Sequence, residues 1–255
     1  MIKKYSFKLS VHKGEKISFE DAYPLYAELL EGVEDSSAAM MHEKEKLSLS
    51  QYLQPIDGGN AAYWNIVLFG AEETEAFSSK LEKRDIITLR NGGRELLITE
   101  HVCSKTINSA SELMAQSEFE CDASRYSLKF ISPTAYRSGG EYIFIPSPRL
   151  ILRSAANMWG QIFPDNTLDD EDALQILENG VKITGYDIKS VYFPLKGVKI
   201  PGFTGFVTLN AKLSAPILQV FKCLLALMPY TGNGIKTKLG MGGVTVKEFQ
   251  RKKQN

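Results

Sequence analysis

Hydrophobic and polar residues alternate along the chain in a way that predicts two successive groups of strands and helices. Ser18 is placed to cap the first helix, and Pro24 equally marks a helix start. The first group is predicted as a strand, a helix, two paired strands, a helix and two further extended runs: 2–10, 18–33, 46–53, 63–69, 71–83, 86–89 and 95–107.

The second group repeats the same order of elements after about residue 122. A helix opening at Pro148 carries apolar residues at helical spacing, and Ser214 with Pro216 opens another. Strands are predicted at 126–131, 181–195, 202–210 and 244–249. The pattern predicts an α+β fold of two tandem ferredoxin-like (βαββαβ) domains, residues 1–122 and 123–255, each with one sheet face free for a ligand.

The composition excludes several classes of protein but does not identify a function. The chain has 255 residues, 30 basic and 30 acidic side chains, and three widely spaced cysteines, so a disulfide framework and a structural zinc site are disfavoured. No long apolar run or secretory signal is present, which predicts a cytoplasmic protein without a membrane span. Residues 181–255 hold 12 Lys/Arg against 2 Asp/Glu, a local charge of +10. Such a charge would attract a polyanion, and it is equally compatible with an ordinary lysine-rich surface.

A glycine-rich segment between the last helix and the last strand is the sharpest local motif. It contains five glycines within residues 232–243, together with two lysines. Glycines let a backbone approach a ligand closely and present its amides, which favours phosphate binding, while a tight connection into the last strand is the alternative. The glycine spacing fits neither a Walker A loop nor a dinucleotide fingerprint. The predicted phosphate-binding residues are Gly232, Gly234, Lys236, Lys238, Gly240 and Gly242.

Candidate acid–base and phosphate-binding side chains lie outside this segment. His42 falls between a predicted helix and a predicted strand, whereas His12 and His101 are predicted to be structural or solvent-exposed. Arg149 and Arg153 stand four residues apart on the helix that opens at Pro148, where they would form one basic stripe that binds phosphates or is simply solvated. No acidic cluster has metal-ligand spacing, so no metal site is predicted.

Several of these segments resemble the Cas-six family of CRISPR-associated endoribonucleases, within the superfamily of repeat-associated RNA-binding proteins. The paired glycine motifs at 232–234 and 240–242, the segments 130–134 and 203–206, and the histidine-to-serine stretch 42–50 carry the resemblance. It implies two ferredoxin-like domains and metal-independent, cofactor-free cleavage of precursor CRISPR RNA by attack of a 2′-hydroxyl on the scissile phosphate. It also implies CRISPR repeat RNA as the partner, leaving other effector-complex subunits and a homodimer open.

The resemblance assigns roles to three side chains in the first half. His42 corresponds to the family's catalytic histidine, Tyr26 to a tyrosine that positions the 2′-oxygen or phosphate, and Lys46 to a basic residue that stabilises charge. Tyr23 stays open as the alternative to Tyr26. Lys44 stays open as the alternative to Lys46, because the proline and aromatics that usually flank the family's lysine are absent here. Two rival functions also remain: a catalytically inactive RNA-binding subunit of a CRISPR effector complex, and a metabolic protein that binds a small molecule.

Overall fold

The structure is a computed structural model, and it describes residues 1–31, 48–89, 93–117, 119–120, 123–168 and 170–249, with Cys103 described by its backbone alone. Within these ranges, two antiparallel sheets account for nearly all of the strands, one built from residues 2–107 and the other from residues 125–248.

The first sheet has five strands in the spatial order β2-β3-β1-β5-β4, and every neighbouring pair is antiparallel. Its strands are β1 Ile2–Ser10, β2 Leu49–Ile56, β3 Ala61–Phe69, β4 Ile86–Leu89 and β5 Arg94–Ile107. Helices α1 Ala22–Leu30 and α2 Ala71–Glu82 pack on one face, and a short helix, α3 Ala110–Ala115, follows β5. Without β4, which extends one edge, the remaining order is that of a ferredoxin-like unit.

The second sheet has four strands in the order β11-β6-β10-β9, which is the ferredoxin-like order with β6 as the first strand. Its strands are β6 Arg125–Thr134, β9 Val181–Leu195, β10 Val198–Ala211 and β11 Val244–Glu248, and a separate two-stranded ribbon is formed by β7 Tyr136–Ser138 and β8 Glu141–Ile143. The helices are α4 Pro148–Ile162, α5 Glu171–Gly180 and α6 Ala215–Thr231. The predicted α+β fold of two tandem ferredoxin-like units is confirmed.

Local sequence signals explain where the predicted helices begin. The Ser147 hydroxyl accepts a hydrogen bond from the Leu150 amide at 3.3 Å, and Pro148 occupies the first turn of α4. In the first half, Ser18 and Asp21 form a reciprocal capping box around a single 3₁₀ turn, and the α-helix begins one residue later at Ala22. Ser18 thus caps the 3₁₀ turn, and Pro24 lies in the first turn of the α-helix, so both helix-start signals in this part of the sequence are used.

The acidic run at 169–172 marks a helix that periodicity alone did not predict. The Asp170 carboxylate accepts a hydrogen bond from the Ala173 amide at 2.9 Å, and Glu171 and Asp172 lie in the first turn of α5. Acidic side chains are favoured at that end of a helix, where unpaired amides carry partial positive charge. Residues 170–172 therefore form the N-terminus of this helix.

Each half of the protein contributes side chains to the hydrophobic core of the other half. Phe193 and Ile200, near the turn of the β9–β10 hairpin, are buried in the first half's core, while Ile2 and Ile107 are buried in that of the second half. The hairpin therefore reaches from the second sheet to α1. Across the described ranges, no helix combines the length and apolar character needed to cross a membrane.

Candidate functional site

The glycine-rich segment forms a joint between the two halves of the protein. It leaves α6 at Gly232 and enters β11 at Val244, and every glycine in it is buried. A Cβ atom at Gly240 would collide with the side chain of Ala22 at the start of α1, and one at Gly243 would collide with the ring of Tyr52. Close packing against the first half therefore requires glycine at these two positions.

Most of the glycine amides are already hydrogen-bonded inside the protein. The Gly232 amide donates to the Met228 carbonyl at 2.9 Å, and the Gly242 amide donates to the Pro133 carbonyl at 3.0 Å. The Gly234 amide donates to the Ser154 hydroxyl at 2.7 Å. The prediction that the amides of Gly232, Gly234 and Gly242 bind RNA phosphates is therefore wrong, because a bonded and buried N–H has no capacity for a further acceptor. Gly240, packed on Ala22, likewise serves the joint.

Asn233 is the polar residue that holds this segment, and the sequence analysis missed it. Its side-chain oxygen accepts a hydrogen bond from the Tyr136 hydroxyl at 2.7 Å, and its side-chain amide donates to the Ile151 carbonyl on α4 at 3.0 Å. Asn233 is fully buried, and burial raises the pKa of Tyr136, which keeps that hydroxyl a donor. An asparagine between two glycines was the available signal for this role.

The outer turn of the segment carries its two lysines. Lys236 adopts a left-handed conformation, with φ 57°, ahead of a 3₁₀ turn at Thr237–Leu239. Lys236 and Lys238 are half-buried, and burial lowers the pKa of Lys238 while the nearby Glu73 carboxylate opposes that shift. The loop thus presents its ammonium groups, and not its glycine amides, as the elements that can attract phosphate.

Gln51 ties this turn to the start of α1. Its side-chain amide donates to the Ala22 carbonyl at 2.8 Å and to the Lys238 carbonyl at 3.3 Å. Its side-chain oxygen accepts from the Trp64 indole at 2.9 Å. All hydrogen-bonding groups of this buried side chain are therefore used, and the turn carrying the lysines is fixed to the helix carrying Tyr23 and Tyr26.

Tyr26 and Tyr23 lie half-buried on α1, beside this joint. Burial, and to a lesser degree the neighbouring Tyr23, raises the pKa of Tyr26, so its hydroxyl is a neutral hydrogen-bond donor. Across the described ranges the Tyr26 hydroxyl has no hydrogen-bond partner.

The Lys196 ammonium group lies 5.2 Å from the centre of the Tyr23 ring, because the turn of the β9–β10 hairpin reaches α1 at this point. The sequence analysis did not predict a role for Lys196. Its left-handed φ of 48°, in a two-residue turn, is a conformation that a lysine does not indicate.

The predicted catalytic residues His42 and Lys46, and the alternative Lys44, lie outside the described residues. Their segment, 32–47, connects α1 to β2, the two elements that contact the glycine-rich joint. The other two histidines are at the surface: His12 Nε2 is 3.6 Å from the Glu95 carboxylate, and the His101 ring stands edge-on to Phe7 at 4.9 Å. These positions agree with the structural or exposed roles predicted for them.

The two arginines of α4 differ in how accessible their guanidinium groups are to a ligand. The Arg153 side chain donates to Glu178 at 2.5 Å and to Glu171, which joins α4 to α5 and raises the pKa of the guanidinium further. Arg149 is 68% exposed and only 3.8 Å from the Glu178 carboxylate. The RNA-binding stripe of Arg149 and Arg153 stays a prediction: Arg149 is accessible, whereas Glu171 and Glu178 would compete with a phosphate for the Arg153 guanidinium.

Comparison with known proteins shows which proteins this chain is similar to. The model for "CRISPR-associated endoribonuclease Cas6" matches residues 128–244, from β6 through the glycine-rich segment. A Streptococcus thermophilus protein with that name is 32% identical over 139 residues, which is 54% of this chain and 57% of the relative. A Mycobacterium tuberculosis protein with the same name is 30% identical over 122 residues, covering 48% of this chain and 38% of the relative. The chain thus spans about half the length of the curated relatives it matches.

Similarity of fold extends over the whole chain. The product complex of a Thermus thermophilus Cas6 superposes with a TM-score of 0.77 at 20% identity, covering 97% of this chain and all of that one. That likeness shows that both halves share the fold of that protein. The chain is thus similar in sequence to Cas6 proteins over residues 128–244 and similar in fold to them over 97% of its length.

Proposed function

We propose that this protein is an endoribonuclease that cuts precursor CRISPR RNA within each repeat, without a metal ion. The observation that carries the proposal is the family match over residues 128–244, with relatives named as endoribonucleases of this family. The 2′-hydroxyl next to the scissile phosphate attacks that phosphate, the 5′-oxygen leaves, and a 2′,3′-cyclic phosphate and a 5′-hydroxyl result. The reaction needs a base, an acid and positive charge near the phosphate.

The first half supplies the reacting groups in this proposal. His42 exchanges the proton, since an unperturbed imidazole titrates near pH ~6.5. Tyr26 donates its neutral hydroxyl to the 2′-oxygen or the phosphate, and Lys46, with Lys44 as the alternative, stabilises the developing charge. The place of Tyr26 on α1, beside the joint and ahead of the segment that contains His42, supports this arrangement.

The second half supplies RNA contacts. Its excess of lysine and arginine, the half-buried Lys236 and Lys238 on the outer turn, and the exposed Arg149 support this assignment. We therefore propose residues 1–122 as the catalytic domain and residues 123–255 as the RNA-binding domain. CRISPR repeat RNA is the proposed partner in the cytoplasm, and further effector-complex subunits or a second copy of the chain are compatible with it.

Cleavage in the presence of a chelator tests the function directly. Purified protein mixed with its repeat RNA in excess EDTA is expected to make a single cut per repeat and to leave a 5′-hydroxyl, detected by phosphorylation of the product with polynucleotide kinase. A requirement for Mg²⁺ would reject the mechanism. Tight binding of the repeat without any cleavage would instead identify an inactive RNA-binding subunit.

Removal of the Tyr26 hydroxyl is expected to slow cleavage without unfolding the protein. Tyr26→Phe removes one hydrogen-bond donor to the reacting oxygens, and a single such donor is worth about 10²–10³-fold in rate where it acts on developing charge. Single-turnover cleavage of repeat RNA measures the effect. Tyr23→Phe on the same helix is the matched control, and a larger loss there would assign the role to Tyr23.

A further inference from the structure

Helices cover only one face of the second sheet in the described part of the chain, and the side chains on the other face are not part of the glycine-rich joint. Helices α4 and α6 bury the side of the sheet that contains Tyr126, Leu128 and Val207. Side chains alternate across a strand, so the residues between these point to the opposite, open face. Register pairs Phe206 on β10 with Lys129 on β6, and both are exposed.

Two phenylalanine rings on this face are exposed and accompanied by cations. Phe206 and Phe249 are each 44% exposed. The Lys129 ammonium group lies 5.5 Å from the centre of the Phe206 ring, and the Arg125 guanidinium lies 4.7 Å from that of Phe249. Exposed aromatic rings with adjacent positive charge are the arrangement that receives nucleic-acid bases and their phosphates.

The charge of the open face is strongly one-sided. Cross-strand register places five basic side chains on it and a single carboxylate, Asp187, opposite Phe206. Over the ranges that the structure describes, none of the five lies in an ion pair with a carboxylate. The five are Arg125, Lys129, Lys182, Lys189 and Lys247. The face therefore attracts a polyanion with charge that the protein does not itself neutralise.

We propose that this open face binds a single-stranded segment of RNA, with a base stacked on Phe206 and neighbouring phosphates on Lys129 and the adjacent lysines. A single strand is required because the faces of duplex bases are already stacked and cannot lie on a protein ring. The choice of RNA over single-stranded DNA rests on the proposed function. The platform consists of side chains that lie outside the glycine-rich joint and α1.

Fluorescence anisotropy with a labelled 12-nucleotide oligouridine, which contains no repeat sequence, tests the platform. Wild type is expected to bind it, and Phe206→Ala is expected to weaken binding roughly tenfold, since base stacking on one ring is worth about that much. Phe206→Tyr, which keeps the ring, should bind as wild type does. Tyr186→Ala is the matched control, because Tyr186 is 73% exposed and pairs with Val207 on the other side of the sheet.

Salt dependence provides a second measurement that does not involve the phenylalanine. Lys129→Ala is expected to reduce the slope of log affinity against log salt by about 0.7, the value for one phosphate contact in a single strand. Failure of wild type to bind the oligouridine, equal binding of a 12-base-pair duplex, or equal losses in Phe206→Ala and Tyr186→Ala would overturn the proposal.

Repeat cleavage in EDTA separates this proposal from the proposed function. If wild-type protein cuts the repeat but does not bind oligouridine, the proposed platform is wrong and the proposed function stands. If wild-type protein binds oligouridine through Phe206 but does not cut the repeat, the platform stands and the proposed function is wrong.

Discussion

Replacing His42 by alanine is expected to lower the rate constant for repeat cleavage by about 10²–10⁴-fold, the usual contribution of one acid–base group. The 2′-hydroxyl is a weak nucleophile and the 5′-oxygen a poor leaving group, so the reaction depends on proton transfer at one or both. Of the three histidines, His42 is the one proposed to exchange the proton, and it belongs to the segment between α1 and β2. Single-turnover kinetics in EDTA, with protein in excess over RNA, measure the rate constant.

Binding and cleavage should separate in the His42→Ala variant. The removed imidazole acts on the reacting atoms, so the affinity for repeat RNA is expected to stay within a few-fold of wild type. His12→Ala is the matched control, since the His12 side chain is 61% exposed and faces Glu95 beyond the end of β1. Unchanged cleavage in His42→Ala would transfer the acid–base role to another group. A parallel loss of affinity and cleavage would show that His42 binds RNA instead.

The fold was predictable from the sequence because its periodic elements are long and well bounded. The hairpin of β9 and β10 and the helices at Pro148 and Ala215 carry continuous apolar stripes, so their predicted and observed positions nearly coincide. The short α3 was not predicted, since six residues are too few to establish a period. Its cap, Ser109, which accepts a hydrogen bond from the Glu112 amide at 3.1 Å, is a signal that the sequence did contain.

The site was less predictable, because tertiary neighbours determine which polar groups remain available. The sequence shows that residues 232–243 need glycine, but glycine serves equally for close protein packing and for close ligand approach. Only the bonds from Gly234 to Ser154 and from Gly242 to Pro133 distinguish the two uses. Arg153 illustrates the same limit, since its use by Glu171 and Glu178 depends on how α5 folds back on α4.

Substitution of Gly234 by alanine is expected to lower the free energy of unfolding by about 2–5 kcal/mol. Gly234 has a φ of 98°, which costs an L-residue about 1–2 kcal/mol, and its added Cβ would collide with the Ala135 carbonyl oxygen, an overpacking cost of about 1–3 kcal/mol. Backbone oxygen cannot rotate away as a side chain can, so the segment must shift as a whole. Equilibrium unfolding in urea, followed by circular dichroism, measures the loss.

Two other glycines separate strain from crowding in this experiment. Gly140 has a φ of 86° with no atom within 4 Å of the added Cβ, so Gly140→Ala reports backbone strain alone. Gly160 lies in α4 with equally open space, and Gly160→Ala is expected to stabilise the protein by about 0.5–1 kcal/mol. A loss in Gly234→Ala that merely equals that in Gly140→Ala would mean that the segment is not packed against its own protein.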